Sequence, residues 1–253
     1  MARAACALCV ASVMLAAPAF AGKDRPPCQT GQVRVVPQGK KGTLIQEFVT
    51  AEGDPARSKT SALVKWDDEA LSVIFDCEDK QIVSRHTDRD DDESADDSVD
   101  VFLDIDHTHD IDSFWVHLIL SASGGIYDEQ GPVAERWSKG GVKCGMIGFD
   151  PENMKTKAET TAEGWRAEIV IPWADMEVEP PKVGDVWGFN LNRRNRPDDE
   201  YLCWSPTYGL FYSMEQWGHL VFADENGEIG MTAEELKRKL AEKHAPFEKP
   251  AAE

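Results

Sequence analysis

Apolar and polar residues alternate along much of the chain. In residues 98–105, Val99, Val101, Leu103 and Ile105 recur at every second position, and this period of two is typical of a strand with one face in a core. The same alternation predicts further strands near residues 32–36 and at residues 61–66, 70–77, 113–120, 155–161, 165–171, 186–194, 201–205 and 217–222. The pattern therefore predicts an all-β fold, a β-sandwich.

The two ends of the chain depart from this alternation. Residues 1–21 contain Arg3, an apolar run and the small-residue triplet Ala19-Phe20-Ala21, which are the features of a cleavable signal peptide. Near the other end, Thr232 and Glu235 form a capping box that predicts a short C-terminal helix. We therefore expect a signal peptide at 1–21, an N-terminal extension at 22–43, a sandwich at 44–223, and the helix and tail at 224–253.

The net charge of the chain and its predicted export limit the classes of partner that it can bind. The chain carries 46 acidic and 27 basic residues, a formal charge of -19, and such a surface repels the phosphates of nucleic acids and anionic lipids. No apolar run reaches the roughly 20 residues that span a bilayer. We therefore expect a periplasmic or secreted protein that binds neither nucleic acid nor membrane; the sequence leaves its oligomeric state open.

Four cysteines remain once the signal peptide is removed. They are Cys28, Cys77, Cys144 and Cys203, an even number in an oxidising compartment. This predicts two disulfides, in any of three connectivities.

The strand at residues 98–105 lies within an acidic stretch of the chain. Residues 88–112 contain twelve acidic residues and one base, and oxygen ligands at this density are what calcium requires. We predict structural calcium held by Asp104, Asp106, Asp110 and Asp112, with a solvated loop as the alternative. His107 and His109 only weakly suggest a transition metal, because a pair of histidines lacks a third ligand.

Polar and aromatic side chains share the face of the sheet that alternation turns away from the core. They include Asp100, Trp115, His117 and Asn192. Carboxylates and amides can accept and donate hydrogen bonds to adjacent hydroxyls, and aromatic rings can stack on the apolar face of a sugar. The alternatives are that the polar residues are solvated and that a neighbouring loop covers Trp115.

Several short segments resemble carbohydrate-binding module family 9 and its family-9-like relatives. In order, they are Leu63-Val-Lys-Trp-Asp-Asp-Glu-Ala-Leu-Ser-Val73, Asp97-Ser-Val-Asp-Val-Phe-Leu-Asp104, Gly164-Trp-Arg-Ala-Glu-Ile-Val-Ile-Pro-Trp173, Gly188-Phe-Asn190, Trp204-Ser-Pro206 and Trp217-Gly-His-Leu-Val-Phe222. The resemblance covers roughly residues 44–223 and implies a β-sandwich that binds an oligosaccharide or polysaccharide and carries structural calcium.

The resemblance also assigns ligand-binding positions. It implies roles for Asp100, for Trp115 and His117, where sugar-binding members carry Arg and Asn, and for Asn192. Family members clasp the sugar between two Trp rings. The first of these corresponds to about Ser94 and is missing, and the second to Phe211 or Tyr212.

Other functions are less well supported by the sequence. No Gly-x-Ser-x-Gly, HExxH or nucleophile–base pair is evident, so we expect no enzyme, although the protein could be an accessory to a glycoside-degrading enzyme. The alternative is a haem-binding or other redox-associated β-sandwich domain of the periplasm, with His117, His219, Met146 and Met214 as candidate axial ligands.

Overall fold

The computed structural model describes residues 32–132 and 149–243, together with the backbone of three short strands between them. The strands are β1 (Val33–Pro37), β2 (Thr43–Ile45), β3 (Val49–Thr50), β4 (Thr60–Trp66), β5 (Ala70–Glu78), β6 (Ser98–Asp104), β7 (Trp115–Ser121), β8 (Ile126–Gly131), β9 (Ser138–Lys139), β10 (Val142–Lys143), β11 (Met146–Ile147), β12 (Lys155–Thr160), β13 (Gly164–Pro172), β14 (Val186–Asn195), β15 (Glu200–Cys203) and β16 (Gly218–Ala223). One α-helix, α1 (Ala233–Lys243), and three 3₁₀ turns complete the described structure. The predicted signal peptide and the end of the predicted tail lie outside the described residues.

The strands form two main sheets. The first contains nine strands in the order β1-β16-β14-β6-β7-β8-β11, with β15 pairing with β14 and β3 pairing with β15. The second has the order β12-β13-β5-β4-β2, and β9 and β10 pair separately. Among the named strand pairs, only β1 and β16 run parallel. This pairing places β1, which lies within the predicted N-terminal extension, in the first sheet. The all-β sandwich prediction is confirmed.

The main core lies between the inner faces of the two sheets. Val99, Val101 and Leu103 of β6 pack in the same cluster as Val73 and Phe75 of β5. Each of these side chains is essentially excluded from water, because strand alternation sends every second residue of each sheet into the shared interior. The period-two pattern therefore identified the core side of both strands.

The outer face of the nine-stranded sheet is also buried. All seven residues of β6 are buried, and so are all seven of β7. A second cluster containing Phe102, Trp115, Phe211, Met214 and Trp217 covers this face. The last three residues belong to the loop of residues 204–217 between β15 and β16, which we call the cover loop. The polar residues of this face are therefore enclosed and not solvated.

An ion pair connects the two sheets at one end of their strands. Arg193 points from β14 toward the other sheet, where its Nη2 lies 3.1 Å from Asp79 and 2.8 Å from the carbonyl oxygen of Glu78. Its Nη1 donates to the Thr60 hydroxyl at 3.1 Å. Arg193 and Asp79 have side-chain exposures of 0% and 2%, so neither charge is compensated by water.

The C-terminal helix begins as predicted. The Glu235 amide donates to the Thr232 hydroxyl at 3.2 Å, and the Glu235 carboxylate accepts from the Thr232 amide at 2.8 Å, which is a capping box. Leu240 packs with Val186 and Val221 at the edge of the nine-stranded sheet. No helix among the described residues is long and apolar enough to cross a membrane.

The disulfide prediction is wrong for the two cysteines that the structure describes. Cys77 and Cys203 are both free and buried. Cys77 lies in the core between the sheets, whereas Cys203 lies in the cluster beneath the cover loop, so each packs as a small apolar side chain. Burial raises the pKa of both thiols to about 12, which keeps them protonated and unreactive. Cys28 and Cys144 lie outside the described residues.

Candidate functional site

Four predicted ligand residues share one face of the nine-stranded sheet. In the strand register, Asp100 on β6 lies opposite Asn192 on β14, and Phe102 lies opposite His117 on β7. Directly opposite residues of antiparallel strands point to the same side, so Asp100, His117 and Asn192 project together, and Trp115 joins them from one alternation along β7. The structure therefore brings together residues that are far apart in the sequence.

A continuous hydrogen-bond network links the charged members of this face. His117 Nε2 lies 2.8 Å from Asp100, and its Nδ1 lies 2.9 Å from Glu129. The other oxygen of Asp100 accepts a hydrogen bond from Arg194 at 2.6 Å. The Tyr212 hydroxyl donates to Glu129 and also lies 3.0 Å from His117 Nδ1. The network therefore joins four strands of the sheet, β6, β7, β8 and β14, to the cover loop.

The network sets the protonation of its members. Burial disfavours the charged imidazolium, but the hydrogen bonds and negative charges of Asp100 and Glu129 outweigh it and raise the pKa of His117. Burial alone would raise the pKa of Asp100, yet the charge of Arg194 and the hydrogen bond with His117 hold it below its ordinary value. The arrangement therefore favours an ionised Asp100 beside a protonated His117.

Aromatic rings cover the network. The imidazole of His117 stacks on Phe102 with ring centroids 3.8 Å apart, and Tyr212 meets both rings edge-on. Phe211 lies over the guanidinium of Arg194, which is 5.0 Å from its ring centroid. This packing places both predicted aromatic ligand residues, Phe211 and Tyr212, directly above the predicted polar ones.

Trp115 is enclosed by protein. It has no exposed surface, and its indole nitrogen donates to the carbonyl oxygen of Ile111 at 2.9 Å. A Cβ added at Gly131 would lie 2.1 Å from that nitrogen, so Trp115 needs glycine on the neighbouring strand. A loop and the neighbouring strand cover Trp115, which was the alternative that the sequence left open.

Asn192 differs from the charged members of the face, Asp100, His117 and Arg194, in its hydrogen bonding. It has no exposed surface, yet neither its amide oxygen nor its amide nitrogen has a hydrogen-bond partner within the described part of the chain. Two residues earlier on the same strand, Asn190 exchanges hydrogen bonds with Ser205 at 3.0 Å in both directions. A buried polar group without a partner costs free energy. Hydrogen bonds from a ligand's hydroxyls to Asn192 would therefore recover free energy that this face otherwise loses.

Sequence reasoning did not identify two members of the network as site residues. Arg194 follows Asn192 by two residues and so shares its face, but nothing in the sequence showed that it pairs with Asp100. Glu129 lies on the short strand β8, whose pairing with β7 places it opposite His117. In the sequence it is one acidic residue among many, which is too common to indicate a site.

Comparison with known protein families shows which family the chain belongs to. The sequence model of the family described as "Carbohydrate family 9 binding domain-like" matches residues 38–224. The chain belongs to this family. The match covers β2 to β16, and therefore includes the whole polar face and the cover loop. No curated protein sequence matches this chain.

Solved structures show that this family 9-like chain has the same fold as known binding modules. A family 9 carbohydrate-binding module from Caldicellulosiruptor kristjanssonii, in complex with cellotriose, superposes with a TM-score of 0.54 at 14% identity, over 76% of this chain and 94% of that one. The glucose complex from the same organism gives 0.54 at 16% identity, over 76% and 96%. A Bacteroides uniformis ATCC 8492 protein with a suggested carbohydrate-binding role gives 0.60 at 15% identity, over 76% and 99%.

The carboxylates predicted to hold calcium in this family 9-like chain mostly accept hydrogen bonds from their own loop. Asp104 accepts from the amide of His109 at 2.6 Å, Asp106 from that of Phe114 at 3.4 Å, and Asp110 from that of Asp112 at 3.0 Å. They do not converge with one another as a group of metal ligands within the described residues. These four carboxylates therefore do not form a ready-made metal site, and calcium at these residues stays a prediction.

The haem alternative has no support in the family comparison or in the site. Both ring nitrogens of His117 are engaged by Asp100 and Glu129, and Nδ1 of His219 lies 2.8 Å from His107. Met214 is buried in the cluster of the cover loop, and the side chain of Met146 lies outside the described residues. The two candidate histidines therefore form hydrogen bonds with protein side chains at the positions where a haem iron would bind.

Proposed function

We propose that this chain is a non-catalytic saccharide-binding protein and that its ligand is held on the outer face of the nine-stranded sheet, at Asn192. Membership of a family of carbohydrate-binding domains supports the class of ligand. The observation that carries the choice of site is the buried amide of Asn192, which lies beside the ion pair of Asp100 and Arg194 and has no hydrogen-bond partner among the described residues. Adjacent sugar hydroxyls both donate and accept, so they would satisfy the amide oxygen and nitrogen together.

Access to this face requires movement of the cover loop. Phe211 and Tyr212 lie over the polar residues, and within the loop the indole of Trp217 donates to the carbonyl oxygen of Phe211 at 2.7 Å. The loop is held to the sheet by hydrogen bonds such as those of Ser205 with Asn190 and of Tyr212 with Glu129, and loops can open and close over ligands. On opening, Phe211 and Tyr212 would become available to stack on a sugar ring above Asn192 and Asp100.

We also propose that the protein is exported to the periplasm or beyond it. The support is the signal-peptide pattern of residues 1–21, which ends in an Ala-x-Ala site. A saccharide-binding protein in that location would meet polymers and oligosaccharides from outside the cell. Mass spectrometry of the protein purified from its native compartment should give a chain that begins at Gly22.

Calorimetric titration with cellotriose, glucose and a panel of soluble oligosaccharides tests the binding proposal. We expect at least one to bind, and we expect Asn192→Leu to weaken that binding at least tenfold, because it removes both polar atoms while keeping the volume. The control is Asn153→Ala, which alters an exposed asparagine that pairs with Asp175 away from the face. Wild-type protein that binds no saccharide, or an Asn192→Leu variant that binds as well as wild type, would contradict the proposal.

A further inference from the structure

Three histidines converge at one end of the same sheet face. His107 and His109 come from the loop between β6 and β7, and His219 comes from β16. One nitrogen of each ring lies within 4.8 Å of those of the other two, and this is the one such group of potential metal ligands within the described residues. The ring centroids are separated by 5.0 to 5.1 Å in all three pairs, so the imidazoles form a nearly equilateral triangle.

The backbone of the loop directs both of its histidines to the triangle. His107 and His109 have φ values of 52° and 55°, a left-handed conformation that is uncommon outside glycine and that asparagine, aspartate and histidine adopt more often than other residues. The His109 amide donates to the buried carboxylate of Asp104 at 2.6 Å, which anchors this turn to the end of β6. On β14, Gly188 makes room for Asp104, because a Cβ there would lie 2.9 Å from its Oδ2.

A backbone carbonyl sets the orientation of His109. Its Nδ1 lies 2.8 Å from the carbonyl oxygen of Met214, and a carbonyl can only accept, so Nδ1 carries the proton. In the neutral ring the lone pair is then on Nε2, which is buried. Metal-binding histidines commonly donate their other ring nitrogen to a backbone carbonyl in this way, because the bond fixes the tautomer and the ring plane.

The spacing of the rings fits a tetrahedral ion. A zinc–nitrogen bond of about 2.0–2.1 Å with tetrahedral angles places ligand nitrogens roughly 3.3 Å apart and imidazole centroids about 5 Å apart. The nitrogens of His107 and His219 are 2.8 Å apart, as in a hydrogen bond between the two rings. To admit the ion, the pair opens by about 0.5 Å, and the proton between the two nitrogens is released or moves to the other nitrogen of its ring.

We propose that His107, His109 and His219 bind a divalent transition-metal ion, with zinc as the ion that the geometry fits best. Imidazole nitrogen is a ligand for zinc, copper and nickel, whereas calcium takes oxygen ligands, so this site is separate in chemistry from the calcium predicted nearby. The histidines supply three ligands and leave the fourth position to water or to another small ligand.

A metal here would connect three separate pieces of the chain. It joins the β6–β7 loop to β16, and through the bond between His109 and Met214 it braces the cover loop. Because binding occurs in the folded protein, the ion should also raise the melting temperature. The site is distinct from the saccharide position at Asn192, so the two can be tested independently.

The test uses the full chain without a polyhistidine tag, stripped with EDTA and titrated with zinc chloride by calorimetry. We expect one ion to bind per chain, and we expect the melting temperature to rise by several degrees on zinc addition but not on calcium addition. His109→Asn and His107→Asn should each weaken zinc binding at least tenfold. Asparagine tolerates the left-handed backbone, so these variants keep the loop conformation accessible.

The matched control is His86→Gln, because His86 pairs with Asp96 outside the triangle. It should bind zinc as wild type does. Cobalt substitution gives a second readout, since its visible absorption reports tetrahedral nitrogen coordination and should be lost in both loop variants. The proposal is overturned if wild-type protein binds no zinc, copper or nickel, or if folded loop variants bind zinc as tightly as wild type. Either result would leave the triangle as a cluster of hydrogen-bonded imidazoles.

Discussion

At the scale of single residues, two asparagines on one strand face give a direct comparison of satisfied and unsatisfied amides. Asn192→Leu removes a buried amide that has no partner within the described residues. Without ligand, we expect the free energy of unfolding to increase by about 1–3 kcal/mol, the cost of burying an unpaired polar group. Urea denaturation followed by tryptophan fluorescence measures the difference.

Asn190→Leu is the matched comparison. It removes hydrogen bonds of 3.0 Å to the amide and the carbonyl oxygen of Ser205 and leaves those two backbone groups unpaired. We expect this variant to lose about 1–3 kcal/mol of stability. If both leucine variants were equally destabilised, the amide of Asn192 would have a partner in solution.

Glu93 gives a prediction of pH dependence. Burial raises the pKa of this carboxyl from its ordinary 4.5 to about 7. Between these values the folded chain holds a proton that the unfolded chain has released, so the free energy of unfolding falls as pH rises from 4.5 toward 7. The contribution is at most about 1.4 kcal/mol per pH unit.

Glu93→Gln should therefore show a flatter stability profile across that window, whereas exposed Glu163→Gln should follow wild type. Denaturation at closely spaced pH values gives both profiles. Parallel profiles for wild type and Glu93→Gln would show that Glu93 ionises normally in the fold.

At the scale of elements, the two sheets are connected by Arg193 at the end of β14. Arg193→Ala leaves the buried carboxylate of Asp79 without its partner, and we expect it to reduce the free energy of unfolding by about 3–5 kcal/mol. Arg166 pairs with Asp76 across β13 and β5, but their side chains are 48% and 51% exposed. Arg166→Ala should therefore cost less than about 1 kcal/mol. Equal losses in urea denaturation would contradict the assignment of Arg193 as a buried connection.

The two described cysteines give a prediction about strand faces. Cys77 faces the core and Cys203 faces the cover loop, and both are buried as thiols. Under non-reducing conditions, we expect iodoacetamide to leave both unmodified in the folded protein and to alkylate both after denaturation. Peptide mass spectrometry locates the label. A disulfide-linked peptide that contains either residue would show that the solution protein differs.

At the scale of the whole molecule, the charge of -19 opposes compaction through self-repulsion. Raising sodium chloride from about 0.01 M to about 0.15 M shortens the screening length from about 30 Å to about 8 Å, so the melting temperature should rise by a few degrees. Calcium chloride at matched ionic strength separates screening from binding. An additional rise would support the calcium predicted at Asp104, Asp106, Asp110 and Asp112; identical curves in calcium and in sodium would contradict it.

The sequence by itself determined the strands, because side chains on a strand alternate with a period of two and burial acts on each face separately. Val99, Val101 and Leu103 were assigned to the core on that ground, and all three are there. The capping box of Thr232 and Glu235 could also be predicted from the sequence, since both partners lie within one helical turn. Alternation also placed Asp100, Trp115, His117 and Asn192 on one face.

Only the tertiary structure decided what covers that face and what meets there. Strand alternation distinguishes the two faces of a sheet, but it does not show which loop lies over the outer face. The burial of Trp115 and the pairing of Asp100 with Arg194 therefore could not be predicted from the sequence. His107 had one histidine neighbour in the sequence, and the third member of the triangle is 112 residues further along the chain. Such contacts depend on the register of β6, β14 and β16, because that register alone brings Asp104, Gly188 and His219 side by side.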